Sequence, residues 1–321
     1  MQQNSAPYLS IVVPFYNEET NAPEMYKRLK GVLADLGKTY ELVFVDDGSR
    51  DNTYHILRDL ALKDPLVSVV QLARNYGQSA ALSAGFDNAH GAVIVSMDGD
   101  LQHDPADLPL FIEKINEGYD IVSGWRKKRV DNPIMRRLPS FLANKLLAWV
   151  SGVDIHDFGT TYKAYRREFI KNVELFGDYH RYIPALAGDM GASIAEIPIK
   201  NVVRAKGKSK YGIRRFWPVL LDLIMLKFIV SYFAKPLRFF GSIGLASLLA
   251  GFGISLSMVF LFLIGLIGPL RGHSAMLLFS VFLMLMGIQF IVLGITAEIN
   301  AKVYYKVSNR PVYRIKRVVN R

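Results

Sequence analysis

Between residues 8 and 124 short β-rich apolar runs alternate with segments of helical spacing. "YLSIVVPF", "ELVFVDD", "VSVVQLA", "AVIVSMD" and "DIVSGW" are the runs, and Met25, Leu29, Val32, Leu33 and Leu36 show the helical recurrence. This alternation predicts an α/β domain built on a mixed, mainly parallel sheet with helices on both faces. In such sheets ligands bind beyond the carboxyl ends of the strands. Each run here ends in polar residues: "PFYNEE", "DDGSRD", "ARNYGQ", "DGDLQHD" and "SGWRKKR". The pattern therefore predicts polar clusters converging on one rim.

Past Trp125 the pattern loosens. A basic segment, "RKKRVDNPIMRRLPS", leads to an amphipathic helix candidate at 141–150, then to "HDFGTTYKAYRREF" and a strand candidate, "SIAEIPIK". "RAKGKSKYG" is too rich in Gly and Lys for a core. Residues 214–235 mix aromatic, aliphatic and spaced charged positions, the pattern of a helix in the membrane interface with Trp217 and Tyr232 as headgroup anchors; an ordinary core helix is the other reading. Between Arg238 and Arg271 lie 32 residues without formal charge, and 272–297 add 26 more. Each stretch exceeds the roughly 20 residues that cross a hydrocarbon core as helix. A transmembrane hairpin follows, against the alternative of two buried helices in a soluble domain. The resulting division is 1–210 cytoplasmic α/β domain, 211–236 juxtamembrane interfacial helices, 237–305 two-helix transmembrane hairpin and 306–321 basic cytoplasmic tail.

Charge sharpens this division. Residues 1–199 hold 21 basic and 26 acidic side chains, whereas 200–321 hold 18 and 2. A surplus of cations beside the two most apolar stretches points to a membrane surface and not to nucleic acid. The cations cluster at 200–215 and 301–321, while the turn "GPLRGHS" carries Arg271 alone. The positive-inside bias then puts the α/β domain and both termini in the cytoplasm, in a multi-pass protein of the inner (cytoplasmic) membrane. "MQQNSAPYLS" lacks the basic and apolar regions of a signal peptide. With no cysteine there are no disulfides or thiolate metal sites. Gly241, Gly244, Gly251 and Gly253 in the first span permit close helix packing, compatible with a homo-oligomer.

Candidate chemistry starts at Asp98, Gly99 and Asp100. Two close carboxylates at a strand end form either a solvated turn or the seat of a cation. Hard divalent ions such as Mg²⁺ or Mn²⁺ take a few carboxylates with phosphate oxygens and water, and Gln102 adds a neutral oxygen. Asp46 and Asp47 are a second acidic pair: a plain turn, or a carboxylate that accepts from a base or ribose. Neither usual phosphate loop is present. No G-x-G-x-x-G follows the first strand, and "GKS" at 207–209 lacks its upstream glycine because Val202 stands there. Metal and basic side chains are left to hold a nucleoside diphosphate. His156 and His103 stand outside the catalytic set.

"VVPFYNEE", "FVDDGSRDNT", "ARNYGQSAALSAGFDNAHGAVIVSMDGDLQHDP" and "VRAKGKSKYG", in that order and followed by two spans, resemble the family 2 glycosyltransferases that act on polyprenyl phosphates. These include dolichyl-phosphate mannose synthases and bacterial undecaprenyl-phosphate glucosyl and aminoarabinosyl transferases. The resemblance implies a GT-A, Rossmann-like nucleotide-sugar domain. It implies that Pro14, Tyr16, Glu18, Asp46 and Asp98 line the nucleotide site and that Asp98, Asp100 and Gln102 hold Mg²⁺ or Mn²⁺. Arg126, Arg136 and Ser140, with Arg204, Ser209 and Lys210, match segments that bind phosphate and acceptor. Asp157, with Asp100 the candidate catalytic residue, matches an acid near the acceptor; a cap or turn Asp is its plainer reading.

The activity implied is inverting transfer of a hexose, first glucose from UDP-glucose, onto polyprenyl (undecaprenyl) phosphate. Mannose from GDP-mannose and aminoarabinose are the alternatives. A processive polysaccharide synthase would bring more spans and a Q-x-x-R-W motif, which the sequence lacks. A non-catalytic scaffold would not need Asp98, Asp100 and Gln102 together, and a lipid-sugar flippase would need more than two spans per chain. The implied partners are thus a nucleotide sugar, a polyprenyl phosphate and the membrane, with no nucleic acid.

Overall fold

A computed structural model of the chain describes residues 6–127, 145, 148, 151–171, 173, 179–200, 236–267, 270–307 and 313–320. In chain order the elements are β1 (Leu9–Phe15), α1 (Ala22–Asp35), β2 (Tyr40–Asp46), α2 (Thr53–Lys63), β3 (Val67–Leu72), α3 (Gln78–Asn88), β4 (Val93–Ser96), α4 (Leu108–Asn116), β5 (Ile121–Trp125), β6 (Lys163–Arg166), α5 (Arg167–Ile170), α6 (Ile183–Asp189), β7 (Ile194–Pro198), α7 (Pro236–Leu263), α8 (Ser274–Val307) and β8 (Ile315–Val319).

The strands form one eight-stranded sheet in the order β7-β5-β6-β4-β1-β2-β3-β8. β4, β1, β2 and β3 run parallel to one another. β6 runs antiparallel to both β4 and β5, which turns β5 into the direction of the central strands. The mixed, mainly parallel sheet expected from the alternating runs is thus present.

Strand periodicity divides the core cleanly. Leu9, Ile11, Val13 and Phe15 of β1, with Leu42 and Phe44 of β2, pack into one cluster with Met25, Leu29 and Leu33 of α1 and Phe111 of α4. Val12, Val43 and Val45 point the other way, into a second cluster with Ala81, Leu82 and Phe86 of α3. Side chains of a strand alternate between faces, so a run apolar at every position must be covered on both sides. α3 lies very close to the sheet: a Cβ on Gly85 would come within 2.2 Å of Val12 Cγ1.

Two strands depart from the sequence reading. β6 lies inside "TTYKAYRR" and is four residues long, too short and too charged for a periodicity signal. β8 lies in the segment read as a basic tail, and that reading is corrected: Ile315–Val319 pairs antiparallel with β3. Tyr313 Oη donates to Asp87 Oδ2 at 2.6 Å, Ala73 N donates to Arg314 O at 2.9 Å, and Asn320 Nδ2 reaches Val67 O at 3.2 Å. Its adjacent Lys316 and Arg317 suit an edge strand, where charge discourages pairing with other chains. The chain accordingly divides into Met1–Leu221 with Pro311–Arg321, and Asp222–Arg310.

The second unit holds two helices long and apolar enough to cross a membrane, Pro236–Leu263 and Ser274–Asn300. They pack backbone to backbone. A Cβ on Gly244 would lie 2.6 Å from Gly287 O, and one on Gly251 would lie 2.6 Å from Ser280 O. Ser255 and Ser280 share a hydrogen bond of 2.8 Å across the same seam. Gly244 and Gly251 are therefore used within the hairpin, as expected where helices associate without a hydrophobic driving force. A Cβ on Gly253 would meet open space, and one on Gly241 would touch its own helix alone. The helix candidate at 141–150 is described at Lys145 and Ala148, which are helical; the interfacial segment 214–235 lies outside the described residues.

Candidate active site

Because the central strands run parallel, the loops after β1, β2, β3 and β4 share one edge of the sheet. After β2 the two acids separate in role. Asp47 is a fastener: its carboxylate accepts from Asn75 Nδ2 at 2.9 Å, Tyr76 N at 2.8 Å and Gly77 N at 3.0 Å, fixing the loop between β3 and α3. Gly48 makes this approach feasible. It has φ +66°, and a Cβ there would come within 2.4 Å of the Arg74 carbonyl carbon. Asp46 is different. Ser49 N donates to its Oδ1 at 3.2 Å, while Oδ2 is buried and has no hydrogen-bond partner among the described residues. Burial pushes the Asp46 carboxyl up, opposed by Ser49. An orphaned, buried carboxylate oxygen at a rim is costly alone and is relieved by a ligand donor.

After β4, Gly99 lets the acidic turn lie against the end of β1: a Cβ there would sit 2.5 Å from the Phe15 ring and 3.0 Å from Pro14 O. Leu101 adopts φ +62°, a conformation a branched side chain takes at a cost, which marks a loop held for use. Asp98 Oδ1 accepts from Gln78 Nε2 at 2.6 Å, and Asp100 Oδ1 accepts from Gln102 N at 3.1 Å. Burial pushes the Asp98 carboxyl up, opposed by the Thr161 hydroxyl, Arg126, Lys163 and Gln78. His103 is buried, its Nδ1 accepts from Asp98 N at 3.3 Å, and burial pushes its pKa down to about 4. It is a neutral prop under the turn.

Arg126, just past β5, forms a two-pronged ion pair with Asp157: Nε to Oδ2 at 2.8 Å and Nη2 to Oδ1 at 3.0 Å. Asp157 is buried and is itself held, since its Oδ1 accepts from Gly159 N at 3.2 Å and its own N donates to Glu196 Oε1 at 2.9 Å. Glu196 also accepts from His156 at 2.7 Å, and the His156 ring stacks on Trp125 with centroids 4.3 Å apart. Lys163 of β6 is buried behind this group, donating to the carbonyl oxygens of Phe158 and Thr160. Burial lowers its pKa to about 7; Asp157 and Asp98 oppose that fall, and Arg126 and Arg181 add to it.

Of the residues singled out in the sequence, Pro14, Tyr16, Glu18, Asp46, Asp98, Asp100, Gln102 and Arg126 all follow or close strands of this one edge. Asp157 joins them through Arg126. Glu18 takes part in a local turn, accepting from Asn21 Nδ2 at 2.5 Å. Tyr16 is exposed. Arg136, Ser140, Arg204, Ser209 and Lys210 lie outside the described residues. Gln78, Thr161 and Lys163 escape sequence reasoning: two are neutral, and the third sits in a strand that gives no periodic signal.

The donor set suits a hard divalent ion. Among the described residues no three His, Cys, Asp or Glu side chains gather into a closed metal cage. Two carboxylates on one tight turn leave positions for diphosphate oxygens and water, the usual habit of Mg²⁺ and Mn²⁺ with nucleotides. Asp98, Asp100 and Gln102 are the residues that would hold it.

Comparison with known proteins agrees with this architecture. The model of glycosyl transferase family 2 matches residues 10–174. Over 318 residues the chain is 40% identical to dodecaprenyl-phosphate galacturonate synthase of Rhizobium johnstonii, covering 97% of this chain and 92% of that one. Over 314 residues it is 36% identical to undecaprenyl-phosphate 4-deoxy-4-formamido-L-arabinose transferase of Shewanella sediminis, covering 97% and 92%. Among solved structures, glucosyl-3-phosphoglycerate synthase of Mycobacterium tuberculosis, in complex with Mn²⁺, UDP and phosphoglyceric acid, gives a TM-score of 0.53 at 18% identity over 70% of this chain and 78% of that one. The sheet is that of the GT-A fold. The chain belongs to glycosyl transferase family 2, and it is a glycosyltransferase.

Proposed function

We propose that the chain transfers one sugar from a nucleoside diphosphate to a polyprenyl phosphate at the cytoplasmic face of the inner membrane. The observation that carries this reading is likeness along 97% of the chain to two relatives, both named for transfer to polyprenyl phosphates. Those relatives name galacturonate and 4-deoxy-4-formamido-L-arabinose. Neither names glucose, so the aminoarabinose alternative is better supported than UDP-glucose, and galacturonate stands beside it.

The chemistry balances without a base. The acceptor phosphate oxygen forms a bond to the anomeric carbon as the bond from that carbon to the nucleoside diphosphate breaks. The acceptor monoester has a second pKa of about 6 and is dianionic at neutral pH. It becomes a monoanionic diester while the leaving diphosphate takes up the charge, so no proton moves. A divalent ion on Asp98, Asp100 and Gln102 would stabilise the charge developing on that diphosphate. Asp46 Oδ2 would accept from the nucleoside. Arg126, held by Asp157, would receive the acceptor phosphate, and Arg136, Ser140, Arg204, Ser209 and Lys210 would add contacts to the phosphates. In this role Asp157 aligns a cation; it does not remove a proton.

Membrane placement follows from the acceptor. Drawing a prenyl tail into water costs about 0.8 kcal/mol per CH₂, so the rim must come to the headgroups. The return of β8 to the sheet supports the expected topology, because residues 9–198 and 315–319 share one sheet and must share one side of the bilayer.

The test is a panel of labelled nucleotide sugars offered to the full chain with undecaprenyl phosphate and Mg²⁺ or Mn²⁺. Lipid-soluble product is expected from UDP-galacturonate or the UDP-linked formamidoarabinose. Absence of product from every donor overturns the reading.

A further inference from the structure

Asp98 is held by a neutral side chain from another part of the chain, which is itself braced by a second. Gln78, the first residue of α3, donates through Nε2 to Asp98 Oδ1 at 2.6 Å and to Thr161 Oγ1 at 3.1 Å. Gln78 thus bridges the Asp98 carboxylate and the Thr161 hydroxyl. A carboxylate oxygen at 2.6 Å requires a donor, so the amide nitrogen, and not its oxygen, faces Asp98. Thr161 and Gln78 are each also fixed from behind. Thr161 is buried and its carbonyl accepts from Ser96 Oγ at 2.6 Å, while Gln78 follows Gly77, whose N–H is pinned by Asp47 Oδ2 at 3.0 Å.

The residue types matter as much as the distances. A Lys or Arg at position 78 would orient the carboxylate equally well and would spend its charge in an ion pair. An amide braced by a hydroxyl orients it without forming an ion pair with it. We infer that Gln78 and Thr161 are positioning residues for the divalent ion: Gln78, braced by Thr161, holds the Asp98 carboxylate in one orientation, and the affinity of the site for metal depends on them. The inference rests on the proposed function above, in which Asp98 faces a metal–diphosphate.

The experiment measures Mn²⁺ binding to the detergent-solubilised full chain in the presence of UDP, read from the loss of the free Mn²⁺ electron paramagnetic resonance signal. Gln78→Met keeps the length of the side chain and removes its donors. It is expected to weaken Mn²⁺ binding by about tenfold, and Gln78→Lys by more, while UDP binding without metal stays at the wild-type level. Thr161→Val, which leaves Gln78 in place, is expected to move metal affinity in the same direction, and circular dichroism identifies any variant that fails to fold. Wild-type Mn²⁺ affinity in a folded Gln78→Met or Thr161→Val protein overturns the inference and leaves the proposed function standing. Absence of Mn²⁺ binding by the wild type with UDP overturns both.

Discussion

Asp157 and Arg126 lie 31 residues apart in sequence and meet through two charge-assisted contacts of 2.8 and 3.0 Å. Such a planar pair fixes the guanidinium more tightly than a single contact would. If the carboxylate served as a base, it would matter only below about pH 6, where the acceptor phosphate holds a proton. As a holder of Arg126 it matters at every pH. Asp157→Asn is therefore expected to lower kcat/KM for the lipid acceptor by about 10²-fold, uniformly between pH 6 and 9, in line with the cost of breaking a buried pair. A loss confined to the acidic end of the profile would restore the base role. At this scale the sequence reveals acids and bases at strand ends, because their position is unusual for their polarity. It is silent about Gln78 and Thr161. Gln78 reaches Asp98 across 20 residues of sequence and Thr161 across 83, and a neutral side chain gives no sign of its neighbours.

At the level of elements, the apolar runs at 9–15, 40–46, 67–72, 93–96 and 121–125 become strands, and "SIAEIPIK" becomes β7. Buried strands announce themselves through unbroken apolar composition. β6 and β8 do not. β6 spends its four positions on Lys163, Ala164, Tyr165 and Arg166, and the charge of Lys163 is buried against backbone carbonyls, which no composition rule anticipates. β8 carries Lys316 and Arg317 side by side in a stretch that reads as a membrane-facing tail, and its pairing with β3 is visible only in three dimensions. The strand begins where the loop leading to Gln78 leaves the sheet: Arg314 O receives Ala73 N, and Tyr313 is tied to Asp87 of α3. Removing residues 313–320 should leave the hairpin membrane-bound and cut transfer activity several-fold or more, as the loop loses one wall. Membrane fractionation with the donor assay checks this, and full activity in the truncated chain would make β8 a passive cover.

For the molecule as a whole, the even number of candidate spans and the shared sheet give the same answer about sidedness. The chain has no cysteine of its own, so single labels can test it cleanly. Gly272→Cys is expected to react with an impermeant maleimide on intact cells, and Asn320→Cys only after permeabilisation. Labelling of both from outside would contradict the shared sheet. The return of β8 also bears on how the enzyme comes into being. The ribosome makes the edge strand after both candidate spans, so the sheet remains unfinished, with β3 uncovered, until the chain beyond the second span has been made.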